Sequence, residues 1–463
     1  MPSNKAGIIP RLRPRSAFPT QPVAPLNERP MSTALRPSAC PGLLRIVPAL
    51  DGGICRIKLN GGSISAAQAE AVARAAEQFA GGVIEATNRA NLQIRGIGSE
   101  QTALIDSLLA AGLGPRTATG DDVRNLMLSP SAGIDRCMLF DTRELAEQIL
   151  VTLQSHERFH ELSAKFAVQL DGGEALAMLE HPHDLWLSAV ERGGEWLLVF
   201  GFAGCPTDRP AGAVPLEQGH ALVVAVLELF LELARPDQTR MRHLLAEYPF
   251  AAFLARLAER VSLKSITDWR RSLSPDALHI GVHPQAGTEY VYIGAVPPLG
   301  RLDPVMLRGA AQLAREFGDA SLRFTPWQSL LLPNVRKERA PEVIGRLEQL
   351  GLLCKAGQPL SRLIACTGSA GCGKGLTDTK SDALQLAALL RRHDQTVHLS
   401  GCPRSCAAAH RVPVTLLAVA PGHYDLYFRD AAQPGFGALH ARNLTIEAVA
   451  ALLDDRSRSP LDA

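Results

Sequence analysis

The sequence predicts an α+β protein built from one unit used twice, with pseudo-twofold symmetry relating the copies. Three observations lead there. First, short motifs recur in one order at a nearly constant spacing. AAEQF ending at Phe79 returns as LAREF ending at Phe317, and Thr87 in TNRANLQI returns as Thr325 in TPWQSLLL, both 238 residues on. Ser131-Ala132-Gly133 returns as Ser369-Ala370-Gly371 at the same spacing, LFDTR (Leu139 to Arg143) as LTDTK (Leu376 to Lys380) at 237, and VQLDG (Val168 to Gly172) as VHLSG (Val397 to Gly401) at 229. Second, strand-like and helix-like patterns alternate the same way in both copies. Third, only the later copy carries a cluster of cysteines.

The elements follow in order. The first 38 residues hold eight prolines and five arginines with Glu28 as the only acid, a composition that cannot build a core and reads as a disordered leader. An Arg-rich, acid-poor leader is also the composition of a transit peptide, but these prolines would break its amphipathic helix. Met31 is an alternative start. Each copy then opens with an extended apolar segment (ICRIKL, later YVYIGAV), continues into an amphipathic helix (AQAEAVARAAEQF, later MLRGAAQLAREF) and returns through a strand, a half-domain of the βαβ kind. A Ser- and Gly-rich loop, a helix (RELAEQILVTL, later DALQLAALLRR) and a strand into a second Gly loop complete each copy. The segments are a leader over 1–38, half-domains over 39–105 and 275–345, a lobe over 106–265, and a second lobe over 346–463.

Charge and hydropathy exclude several classes. With 463 residues, 46% hydrophobic and a net charge of +2, the chain can bury two or more cores and shows no global bias toward nucleic acid or membrane. The longest apolar stretch, Ala221 to Ala234, is interrupted by Glu228 and Glu232, so it reads as a buried helix rather than a membrane span.

Nine cysteines, an odd number, point to a reducing cytosol. Five are scattered singly: Cys40, Cys55, Cys137, Cys205 and Cys354. The other four, Cys366 and Cys372 in ACTGSAGCGKG and Cys402 and Cys406 in LSGCPRSCA, have the pattern C-x5-C, a 29-residue gap and C-x3-C. Thiolates are the ligands iron–sulfur cores prefer, and Gly368, Gly371, Gly373 and Gly401 let backbone N–H groups approach the sulfides, so the pattern suggests a [4Fe–4S] cluster. A structural zinc and four unrelated thiols are the rival readings; zinc ligands usually pair at closer spacing than C-x5-C. Moved back by the repeat spacing, the four positions fall on Leu128, Ile134, Gly173 and Ala177, none of which ligates iron, so only the second lobe holds a cluster.

If TNRANLQIR is a strand, Arg89, Asn91, Gln93 and Arg95 alternate onto one polar face. That face reads either as a solvated surface or as a cradle for carboxylates, which guanidinium forks match. His181, His183 and Asp184 in EHPHD make a conceivable metal patch, with an exposed loop as the favoured reading. His410, four residues after Cys406, is a candidate neighbour of the cluster loop. No general acid or base is assigned.

These motifs resemble the nitrite and sulfite reductase superfamily. TNRANLQIRGI (Thr87 to Ile97), VRNLMLSPSAGID (Val123 to Asp135), AKF (Ala164 to Phe166), RFTPWQSLLLPNV (Arg323 to Val335) and the four cysteines carry the likeness over roughly Pro41 to Arg442. Within it, ACPGLLRIVPALDGGICRIKL, the compact length and VTLLAVAPGHYDLYF (Val414 to Phe428) look like the precorrin-3B synthase family. The resemblance implies two ferredoxin-like half-domains plus two α/β lobes enclosing a tetrapyrrole beside the cluster. It implies Cys366, Cys372, Cys402 and Cys406 as cluster ligands, with Cys406 as the bridge to haem iron if sirohaem is present, and Arg89, Gln93, Arg95, Arg124, Asn125 and Lys165 as tetrapyrrole contacts. Whether a second iron is sirohaem or mononuclear stays open. The reaction it implies is an oxygen-dependent hydroxylation of precorrin-3A with lactone formation; the alternative is a sirohaem-dependent nitrite or sulfite reductase. No GxGxxG fingerprint lies between a strand and a helix, so a separate reductase or ferredoxin is the expected electron donor. Two departures stand out: the reductases' R-K-F-K becomes Ala164-Lys165-Phe166-Ala167, and Arg89 is matched in the second copy by Trp327.

Overall fold

The computed structural model describes residues 40–458 apart from 276, 288, 392–394 and 434, so the leader lies outside the described residues. The first half-domain contains β1 (Val47–Ala49), β2 (Gly52–Ile57), β3 (Ser63–Ser65), α1 (Ala66–Phe79), β4 (Val83–Ala86), β5 (Leu92–Ile97) and α2 (Gln101–Ala110). The first lobe follows with β6 (Leu126–Leu128), α3 (Arg143–Ser155), β7 (Val168–Asp171), β8 (His183–Arg192), β9 (Glu195–Gly204), β10 (Gly212–Pro215), α4 (Gly219–Leu233), α5 (Met241–Leu245) and α6 (Phe250–Ala258). The second half-domain repeats the first with β11 (Gly281–Pro284), β12 (Tyr290–Ala295), β13 (Arg301–Leu302), α7 (Pro304–Phe317), β14 (Ser321–Phe324), β15 (Leu330–Arg336) and α8 (Ala340–Gln349). The last lobe contains β16 (Leu363–Ala365), α9 (Thr379–Leu389), β17 (Val397–Ser400), β18 (Val414–Ala420), β19 (His423–Phe428), β20 (Ala438–Leu444) and α10 (Ile446–Arg458).

Sheet topology repeats as the motifs do. The half-domain sheets have the orders β1-β2-β5-β4-β13 and β11-β12-β15-β14-β3, so each is completed by an edge strand from the other half. This exchange was not legible in the sequence, because β3 and β13 are three and two residues long and carry no alternation of their own. The lobes share the order β6-β7-β8-β9-β10 and β16-β17-β18-β19-β20, parallel for the first two pairings and antiparallel for the last two. Backbone strain repeats too: left-handed residues recur 238 apart at Gly62 and Gly300, Gly82 and Ala320, Ala90 and Gln328, and Gly96 and Asn334.

Why α1 and α7 form is visible in their ends. Ser65 caps α1 in a capping box with Gln68, and Asp303 caps α7 ahead of Pro304 at the first helical position. Small residues on one face (Ala69, Ala73 and Ala76; Ala310 and Ala314) let the two helices pack on each other, tied by Arg308–Glu77 and Arg315–Glu70. The two half-domains thereby share a single core running from Leu43 to Cys354, while each lobe keeps a core of its own. The apolar stretch at 221–234 lies within α4, buried through Leu222, Val226, Leu229 and Phe230. Among the described residues no helix is long and apolar enough to cross a membrane.

Candidate functional site

The four cysteines lie on two loops, one after β16 and one after β17, where strands of a parallel sheet release the chain at their carboxyl ends. The loops are bound to each other: Leu376 N–H donates to the Gly401 carbonyl (2.9 Å), and Gly375 packs so closely on Gly368 that a Cβ would meet its carbonyl carbon at 2.6 Å. Gly401 N–H donates to Cys366 Sγ at 3.2 Å, and the Thr379 hydroxyl, bonded to the Cys366 carbonyl at 2.7 Å, lies 3.4 Å from the same sulfur. Of the four glycines named from the sequence, Gly401 gives its N–H to a cysteine sulfur, Gly368 takes a left-handed φ of 66°, and Gly371 offers its carbonyl to Arg95.

Cys372 and Cys406 are exposed on their loops; the Cys406 thiol is nonetheless raised by desolvation from the surrounding protein and then by the charges of Cys402, Cys366 and Cys372, which brings all four sulfurs into one neighbourhood. Among the described residues, no three His, Cys, Asp or Glu side chains converge tightly enough for a single metal ion. A cube spreads its thiolates over separate corners, so four sulfurs that are near one another but not on one point, with an N–H bond to sulfur, fit a [4Fe–4S] cluster better than one zinc. Cys366, Cys372, Cys402 and Cys406 are all in the free thiol form.

The cluster loops are gripped by the half-domain turns. The Asn88 side chain donates to the Cys406 carbonyl (3.1 Å), and Gln328, in the equivalent turn of the second copy, donates to the Ala407 carbonyl (2.9 Å). On β5 the Arg95 guanidinium, 4% exposed, holds Asp51 through two bonds (2.8 and 2.9 Å) and reaches the Gly371 carbonyl at 3.2 Å. Beside it Glu85 is buried among Arg301 (2.9 Å), Arg95 (3.8 Å) and Lys380 (3.8 Å); burial pushes its carboxyl up, and the three cations more than reverse it.

The polar face expected from strand alternation is corrected here. Arg89 and Asn91 lie in the turn before β5, not on the strand, and Asn91 accepts from Leu59 N–H at 2.9 Å. Gln93 and Arg95 do alternate on β5, with the Gln93 oxygen accepting from Arg56 Nε (3.0 Å) and Nη2 (2.6 Å). Arg124 is buried on Asp121 (3.0 Å), and the Asn125 amide is occupied by the carbonyls of Asp122, Ala164 and Phe166, so both brace the first lobe internally. Lys165 is exposed.

Arg89 is half-buried and, among the described residues, its guanidinium has no ion pair. Burial, then Arg240 and Arg56, pull its pKa down to about 10. Arg56 lies close enough to Cys406 to feel its charge. The one carboxylate at this corner, Asp184, is already held by Arg240 (2.8 Å) and by the Ala167 and Met241 N–H groups. Arg89 thus lies among two further guanidiniums, Arg56 and Arg240, and a carboxylate already committed to Arg240. Sequence reasoning missed Arg56, though pairing ICRIKL against LQIRGI places it opposite Gln93; it missed Arg240, for which no local signal existed.

The reading of EHPHD as an exposed loop is overturned. His181, His183 and Asp184 are 1%, 2% and 1% exposed, and Asp184 is too fully bonded to bind a metal. His410 does lie beside them, its ring centroid 6.3 Å from that of His181. Trp327 stacks on His279 (5.1 Å, 10°) and lines, with His410, Arg362 and Arg429, a cavity of about 180 Å³ that Leu176 to Glu180 of the first lobe also line.

Comparisons with known proteins agree with this architecture. The family described as "Nitrite/Sulfite reductase ferredoxin-like half domain" matches residues 48–112 and 283–350, and "Nitrite and sulphite reductase 4Fe-4S domain" matches 119–265. That second match falls on the lobe without the cysteines, whose sheet order the cysteine-bearing lobe repeats. The maize chloroplastic ferredoxin–nitrite reductase is 31% identical over 76% of this chain and 67% of its own length. A ferredoxin–nitrite reductase of Synechococcus elongatus is 28% identical over 79% of this chain and 76% of its own, and a Sinorhizobium precorrin-3B synthase 27% identical over 86% and 84%. The solved structure of Mycobacterium tuberculosis NirA shares the fold, with a TM-score of 0.74 over 89% of this chain and 82% of its own at 21% identity.

Proposed function

The chain belongs to the nitrite and sulfite reductase family of iron–sulfur oxidoreductases, and from that premise we propose that it is a precorrin-3B synthase, hydroxylating precorrin-3A with dioxygen at the meso carbon between rings A and D and closing a lactone from the ring A acetate. One oxygen atom enters the substrate and the other leaves as water, with two electrons and two protons consumed. A cluster on Cys366, Cys372, Cys402 and Cys406 supplies electrons singly, which triplet dioxygen needs. Electrons come from a separate reductase or ferredoxin, and the free thiols of Cys55, Cys137, Cys205 and Cys354 suit a reducing cytosol.

The chain's own residues hold the substrate. Arg56 and Arg89 lie near one another without a free carboxylate to neutralise them, so peripheral acetates and propionates take that place. Gln93 orients Arg56, exposed Lys165 adds a further cation, and Arg95, Arg124 and Asn125 fix the framework on which these groups stand. Positioning of this kind is worth about 7–11 kcal/mol at most when the reacting atoms are aligned.

The observation that carries the reading is the pair of guanidiniums, Arg56 and Arg89, left without a free carboxylate close to Cys406. Position 167 is a buried alanine whose N–H is tied to Asp184, so the cations favour a wide ring's edge over a small central anion. The near end-to-end match with the Sinorhizobium enzyme supports it. The second reading, a sirohaem-dependent nitrite or sulfite reductase, is favoured by the higher identity to the maize enzyme. Anaerobically purified protein separates them. Oxygen-dependent conversion of precorrin-3A supports the synthase; a sirohaem band with viologen-driven reduction of nitrite or sulfite, and no such conversion, overturns it.

A further inference from the structure

His181 and His410 are mates under the internal duplication. The register of β7 on β8 pairs Val168 with Leu185, and that of β17 on β18 pairs Val397 with Val414, so one spacing of 229 relates the strands and carries His181 onto His410. The two rings meet across the pseudo-twofold axis at 85°. Their surroundings differ: Arg89 lies beside His181, whereas the matching Trp327 lines the cavity that His410 also lines. The duplication has been kept in the histidines and broken in what they face.

Both ring nitrogens of His181 are buried without a protein partner, as is Nδ1 of His410. Such groups cost about 1–3 kcal/mol each unless something satisfies them, and native interiors leave few in that state. His183, whose ring lies 5.4 Å from that of His181, turns Nδ1 to the His181 carbonyl at 2.7 Å and so gives His181 no ring partner. A metal ion is a poor occupant, because Arg89 and Arg240 already make this corner positive and Asp184 is committed to Arg240.

We propose that His181 and Arg89 together receive one peripheral carboxylate of the tetrapyrrole, and that His181 takes up a proton as the carboxylate arrives. This rests on the tetrapyrrole reading above and adds to it a second contact and a proton. The charged and titratable groups facing His181 are Arg89, His183 and His410. Behind them stand Arg56, Arg240 with Asp184, Glu180 with Arg429, and His398. Burial, then His183, Arg89 and His410, hold the free imidazole neutral, well below the ordinary histidine range. A carboxylate on Arg89 cancels the nearest cation and adds an anion, which reverses the electrostatic balance in favour of imidazolium. The proton is then stored at the rim of a reaction that consumes protons.

The test is calorimetric and needs no turnover. Cluster-loaded protein is titrated near neutral pH with uroporphyrin III, an iron-free polycarboxylate ring, in phosphate and in Tris, whose different ionisation enthalpies report protons taken up. Wild-type protein is expected to take up a proton that His181→Asn does not, with affinity for the ring about tenfold weaker in the variant. His181→Gln, with iron content and Tm compared to wild type, guards against a folding defect. Equal uptake by wild type and both variants overturns the inference and leaves the tetrapyrrole reading standing. Failure of wild-type protein to bind the ring removes both. Citrate serves as the small-anion arm: the same uptake at similar affinity would reassign the corner to small carboxylates and overturn the proposal.

Discussion

The guanidinium of Arg95 donates to the carbonyl oxygen of Gly371, the residue before Cys372, across 276 positions of sequence. Through it the first half-domain holds the cluster loop of the last lobe, and Asp51 and Glu85 fix the guanidinium from behind. An electron site in one copy is thereby built on a strand of the other.

Arg95→Ala is expected to destabilise the protein by about 2 kcal/mol, since it removes the charged hydrogen bonds to part-exposed Asp51 and to the Gly371 carbonyl, while Glu85 keeps Arg301 and Lys380. Acid-labile sulfide should fall with it, because the loop before Cys372 loses its anchor. Thermal melts and sulfide assays on the same preparation check both; wild-type values in the variant would show that the loop holds itself.

Each of Cys366→Ser, Cys372→Ser, Cys402→Ser and Cys406→Ser should lower iron and sulfide content severalfold. Cys354→Ser should not, because that thiol sits in the shared core, raised to about 12 by burial. Loss of the broad visible absorption of the cluster in the four, and its retention in the fifth, is the expected pattern.

Arg89→Ala should weaken tetrapyrrole binding by about tenfold or more, with Arg89→Lys recovering only part, because an ammonium lacks the planar fork. Direct titration with a polycarboxylate ring measures this. Equal affinities in all three proteins would remove Arg89 from the cleft.

Acid should destabilise the fold through its buried imidazoles. His183 and His398 are 2% and 1% exposed, and burial lowers each from 6.5 to about 3. The unfolded chain binds protons below 6.5 that the folded chain refuses, so the stability present above 6.5 is lost as pH falls toward 3, by about 1.4 kcal/mol per pH unit per group. His398→Leu, which also removes a buried nitrogen without a partner, should be neutral or stabilising at neutral pH and should flatten this slope in urea melts. An unchanged slope would mean that His398 is protonated in the fold.

Much of the fold was legible because it is periodic and repeated. The pattern of α1 returns in α7, and the recurring motifs set copy against copy before any strand is assigned. The exchange of β3 and β13 between half-domains was hidden, since such short edge strands are defined by their partners alone. EHPHD was read as exposed because five polar or turn-prone residues say nothing about what covers them: Arg240 and Met241 close over Asp184, and His410 of the other lobe meets His181.

The sequence by itself determined the duplication, the amphipathic helices and the asymmetric set of four cysteines, all of which are local spacing and composition. Only the tertiary structure decided which cations stay unpaired. Arg95 and Arg124 meet carboxylates and carbonyls brought by distant segments, whereas Arg89 and Arg56 find no free acid. The difference between a strut and a ligand contact is whether a counter-charge lies within a few ångströms, and that distance is set by how the two copies close on one another.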